Sequence, residues 1–230
     1  MHSKVKRYAL AWRRAVSAVI WWLPVVGLLG MVVFGMLAQS GDPIAHMVGL
    51  SAVAGIGAGV GGMMAAFAFA PSDDAALELL LSAPRPLSYT LIERLLLIFG
   101  LNAIVSIIGA LLVAQLTGES TAFALWARWG APFTLLVGVG LVIGMMARRS
   151  SFGVLVVILL DGALLFGGAE ALIARYPWAR LLHPLLDPLR YPESIVANRI
   201  IVFSIGVALI AYAFRLLREP EPFLAAATGS

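Results

Sequence analysis

The residue most able to do chemistry in this chain is Asp161, a carboxylate set inside the apolar run VILLDGALLFGG. An acid at membrane depth is costly, so it marks either a proton or substrate path or a polar contact between helices, with Asn102 and Gln115 as candidate partners on a neighbouring run. The other reactive types are sparse. His2, His46 and His183 form no H-E-x-x-H, which excludes a zincin. Ser51 with His183 is the pairing to weigh for nucleophilic hydrolysis, but residues 49–53 read GLSAV and lack the glycine two places after the serine. With no cysteine there are no disulfides, thiolate metal sites or cysteine nucleophiles. The only lysines are Lys4 and Lys6, so the glycine-rich SAVAGIGAGVGGMMA cannot be a phosphate-cradling G-x-x-x-x-G-K-[ST] loop. The expectation is a chain that is not an enzyme, with no catalytic residue, metal or cofactor of its own.

Such residues need elements to hold them, and composition says where those elements lie. Hydrophobic residues make up 61% of the chain and charged residues 12%, whereas soluble domains sit near ~45–50% and ~25%. The expected class is all-α, a polytopic membrane protein. A pI near 9.9 would suit nucleic acid, yet the basic residues cluster at the ends of apolar runs and not along one soluble face. The charge therefore reports orientation, and no nucleic-acid partner is expected.

Six apolar segments approach the ~20 residues that a ~30 Å hydrocarbon layer requires: 16–37, 44–70, 87–116, 126–147, 152–174 and 195–217. They form one transmembrane domain over residues 1–230. Before them, residues 1–15 place Val5, Ala9, Trp12 and Val16 on one helical face opposite Lys4, Lys6, Arg7 and Arg14, as in an interfacial helix lying on anionic membrane lipid. In the second span Ser51, Gly55 and Gly59 recur every four residues, as do Val53, Gly57 and Gly61, stripes that let another helix approach closely. Residues 175–194 carry Pro177, Pro184, Pro188 and Pro192 among many leucines, too broken to span and too apolar to float. Short re-entrant or interfacial helices are expected there. Residues 218–230 read as a tail.

The one polar interruption that still reads as a helix is PSDDAALELLLSAPRP, Pro71 to Pro86. Ser72 can cap it, Asp73 and Asp74 suit its first turn, and Pro84 stops it, giving a helix over 72–83 with Leu77, Leu80 and Leu81 on one face and Asp74 and Glu78 on another. Basic residues at the N-terminus, in this connection and its flank (Arg85, Arg94), at Arg148 and Arg149, and at Arg215 and Arg218 outnumber Arg128, Arg175, Arg180, Arg190 and Arg199 on the opposite side. By the positive-inside rule both termini and the 72–83 helix are cytoplasmic, in a plasma (inner) membrane.

The order of these parts resembles the membrane-spanning permease subunits of type-2 (exporter) ABC transporters. The resemblance rests on Glu78 to Pro84, an E-x-L-L-x-x-P stretch between spans two and three, supported by the basic first helix, the span count, the broken segment before the last span and the Asn198–Arg199 pair entering it. Where members often carry basic residues and a glycine before the motif and a lysine opening span three, this chain has Asp73, Asp74 and Glu93–Arg94. The resemblance implies a coupling helix that docks a separate cytosolic ATPase. Glu78, Asp74 and Arg85 would make charge contacts there, and Leu77, Leu80 and Leu81 would fill the groove. It also implies pairing with a second copy or a homologous permease chain, with ATP and magnesium held by the partner subunit, and the second-span glycines packing near the dimer axis. Two other classes stay open: an ion-coupled secondary transporter using Asp161, and a non-transporting membrane assembly subunit.

Overall fold

A computed structural model describes residues 18–39, 42–68, 87–117, 122–166, 169–186 and 191–218. The interfacial helix expected over 1–15, the coupling helix at 72–83 with Asp74, Leu77, Glu78, Leu80, Leu81 and Arg85, and the tail beyond Arg218 lie outside these residues. The elements among the described residues are all helical: α1 Ala18–Ala38, α2 Pro43–Ala68, α3 Leu87–Thr117, α4 Ala122–Met146, α5 Ser150–Phe166, α6 Ala169–Arg175, a 3-10 turn Pro177–Leu181, and α7 Ile195–Leu216.

Five of these helices, α1 to α4 and α7, are long and apolar enough to cross a membrane. Of the fifth run expected over 152–174, the described residues form α5 to Phe166 and α6 from Ala169, and 167–168 lie outside the described residues. With 17 residues, α5 reaches about 25 Å, short of a ~30 Å hydrocarbon core.

Lipid supplies no hydrophobic drive between helices, so the bundle depends on close backbone approach. The spanning stretches of α2 and α4 are 78% and 72% buried, against 17% to 33% for the other three, so these two form the centre. Around α2 pack α1, α3, α4 and α5; α7 packs on the far side of α4. Two small-residue contacts set the spacing. A Cβ at Gly140 of α4 would collide with the Gly62 carbonyl oxygen of α2, and one at Gly206 of α7 would stand 2.6 Å from the Leu135 backbone nitrogen of α4. Between α4 and α5 the chain turns through Ala147–Arg149 with Arg148 at φ 60°, a left-handed conformation more usual for glycine. That short turn brings α5 back antiparallel, with Gly153 against Ala66 of α2 and the Gly140 carbonyl.

At the opposite end, the α1–α2 turn is tied by the His46 ring, whose Nδ1 lies 2.9 Å from the Ala38 carbonyl oxygen. Arg94, in the flank of the connection before the third span, is buried, its guanidinium donating to the carbonyl of Ala68, the last residue of α2.

Candidate functional site

The second-span glycines sort into two rows that receive side chains from two helices. Gly57 faces Trp129 and Gly61 faces Phe133, so two α4 aromatics one turn apart fill hollows one turn apart on α2. On another face Gly55 meets Leu165, Gly59 meets Asp161 and Gly62 meets Val157, an antiparallel ladder between α2 and α5 in steps of about one turn. Ser51 is half-buried at the start of the same helix. All four stripe glycines are buried within the chain, where α4 and α5, with α1 also reaching Gly57, occupy this surface.

Asp161 takes one rung of that ladder. A Cβ at position 59 would collide with its carboxylate, so glycine is what leaves room for the acid. Oδ1 is buried with no hydrogen-bond partner among the described residues. Neither suggested partner serves it. The Asn102 amide donates to the Ile98 carbonyl at 3.0 Å and lies 2.9 Å from Met64 Sδ, which ties α3 to α2. Gln115 is exposed. The carboxylate is thus held by shape, against a helix backbone and among apolar side chains, an arrangement able to take a proton or meet a polar group of a cargo or partner.

A second polar cluster sits where α7 begins, and sequence reading noted its residues without their role. Asn198 is fully buried, and its amide nitrogen reaches the carbonyls of Arg180, Leu181 and His183 at 2.9, 3.1 and 2.9 Å. Its Oδ1 has no partner among the described residues, so the side chain serves as a donor. Arg199 donates to the Pro184 carbonyl at 2.5 Å and the Leu186 carbonyl at 3.3 Å, and Arg180 pairs with Glu193 at 3.1 Å. The prolines at 177 and 184 prevent one continuous helix, which frees carbonyls at the end of the 3-10 turn; the Asn198–Arg199 pair satisfies them. Asn198→Asp keeps the shape but puts an acceptor before three carbonyls. It is expected to destabilise the protein by about 3 kcal/mol and to speed tryptic cleavage at Arg180, checked by thermal unfolding in detergent and timed proteolysis.

Beside this clasp, a groove of about 430 Å³ opens between α3, α4 and α7. Its walls include Phe99, Trp129, Gly130, Phe133, Arg199 and Phe203. Trp129 stacks on Phe133 at 4.2 Å between ring centroids, and Phe99 meets Phe133 edge-on at 4.9 Å.

Five apolar helices of spanning length, two of them buried at the centre, make this a multi-pass membrane protein. No family model, curated protein or solved structure matches this chain.

Proposed function

We propose that this chain is the membrane-spanning permease subunit of an ATP-driven exporter of the type-2 ABC class. A separate cytosolic subunit hydrolyses ATP with magnesium, and a second copy or homologous chain completes the pathway, in a plasma (inner) membrane with both termini cytoplasmic. The observation that carries the reading is the position of the E-x-L-L-x-x-P stretch, Glu78 to Pro84, between α2 and α3. α2 is the most buried helix of the bundle and touches four others, so force applied at its end acts on the whole packing. Arg94 on Ala68 fastens that end to α3, so the two helices that flank the stretch move together. Displacement of a helix over 72–83 would then bias the bundle between two packings, a rigid-body switch of the kind known for transporters.

One observation favours a second reading. The Oδ1 of Asp161, buried without a partner among the described residues, suits the proton site of an ion-coupled secondary transporter. The energy source separates the two. Purified from its native membrane, the chain is expected to bring with it a protein bearing Walker motifs, and transport is expected to require ATP and to survive a protonophore. Transport that continues without ATP and stops with the protonophore would favour the second reading.

A further inference from the structure

The sequence leaves two places for the proline-broken stretch before α7, dipping into the lipid or lying along its surface, and the Asn198 clasp supplies a level that separates them. α7 has 22 residues and is about 33 Å long, so crossing a ~30 Å hydrocarbon core uses nearly all of it and puts its first turn at the membrane boundary. Asn198 lies in that first turn, and its bonds of 2.9, 3.1 and 2.9 Å to the carbonyls of Arg180, Leu181 and His183 hold the end of the 3-10 turn at the same level. A 3-10 turn of five residues is about 10 Å long, less than the ~15 Å from that boundary to the bilayer centre.

The side chains of this stretch divide between two surroundings. Ile173, Ala179 and Leu186 form a buried cluster, with Tyr191 and Ile195, the first residue of α7, packed against it. Leu172, Tyr176, Trp178 and Leu182 are exposed instead, Trp178 to 61%. The Tyr176 and Trp178 rings stand 6.2 Å apart, and the Arg175 guanidinium lies over the Tyr176 ring at 5.5 Å. Tyrosine and tryptophan have an apolar body and a polar tip, which suits the headgroup layer, and that layer also offers phosphate to an arginine. Water at this level would leave four large apolar side chains uncovered.

We propose that residues 172–182 bind the bilayer interface on the side where α7 begins, with Tyr176, Trp178 and Leu182 seated in the headgroup layer and Arg175 at the lipid phosphates. This surface does not depend on the exporter reading. It would hold in any membrane assembly that uses this bundle.

Because the chain has no cysteine, Trp178→Cys and Leu182→Cys each give one site for a nitroxide spin label. Both side chains are exposed, so both variants should elute as wild type does. The labelled full chain is placed in vesicles of phosphatidylcholine and phosphatidylglycerol. Collision with oxygen, which favours lipid, is compared with collision with a water-soluble nickel chelate, on a depth scale set by nitroxide-labelled phosphatidylcholines. Both labels are expected about 5–10 Å below the phosphate level. The proposal is overturned if nickel collisions reach the value for a label free in water, since the stretch would then be solvated. It is overturned if the labels lie near the bilayer centre, since the stretch would then be re-entrant. It is equally overturned if both collision partners are excluded and the spectra broaden through a second nearby label, since another copy of the chain would then cover this face.

Discussion

Gly140→Leu is expected to abolish assembly of the bundle. Its Cβ would enter the space of the Gly62 carbonyl oxygen, and the next atoms of a leucine would meet Val157 of α5, whose Cγ2 already lies 3.3 Å from that Cβ position. Overpacking a core with side chains that can shift costs about 1–3 kcal/mol, but here the obstacle is the backbone of the central helix, so the cost is expected to exceed that range. Separating α4 from α2 would also draw Trp129 and Phe133 out of their hollows at Gly57 and Gly61. The comparison is Gly100→Leu on α3. That glycine is exposed with nothing near its Cβ position, and the gain in helix propensity is about 0.8 kcal/mol. Thermal unfolding followed by size exclusion in detergent should show Gly100→Leu at or above wild type and no folded peak for Gly140→Leu. A folded Gly140→Leu protein with an unchanged midpoint would mean that α2 and α4 are not in contact as described.

The second large effect concerns function and leaves the fold alone. Glu78→Ala combined with Leu80→Ala is expected to release the ATPase proposed to dock there, while the protein unfolds at the wild-type temperature. Buried anchors at an interface carry on the order of 2 kcal/mol or more each when truncated, so affinity should fall by about a hundredfold or more, enough to lose co-purification. The bundle should be indifferent, because its packing is made by α1 to α5 and α7. Unchanged association would remove the docking role from Glu78 and Leu80. Loss of association together with loss of the folded peak would show a structural defect, and the single Glu78→Ala variant then separates the two causes.

How much of this was legible beforehand follows from what each residue does. The apolar runs announce membrane helices because lipid leaves the backbone no alternative, and helices α1 to α4 and α7 fall on five of the six predicted spans. Glycines at four-residue spacing on the second span stood out in the sequence, but the pattern names no partner, and the partners are α4 and α5. Gly140 has only Gly144 at four-residue spacing and Gly206 has no such neighbour, a weaker pattern than the second-span rows, and neither announces the close approach it sets. Arg94 and Asn198 were visible only as polar residues near span ends. Their roles come from carbonyls 26 residues and 15 to 18 residues away, relations that periodicity cannot reveal.

The central claim is that the helix expected over residues 72–83 faces the cytosol and receives force there. Because the chain has no cysteine, a single Ser72→Cys or Ser82→Cys substitution gives one reactive thiol and no background. With a membrane-impermeant maleimide, both positions are expected to stay unlabelled in intact cells and to label once the cells are permeabilised. Labelling from outside intact cells would put the segment in the wrong compartment for any cytosolic ATPase and contradict the account.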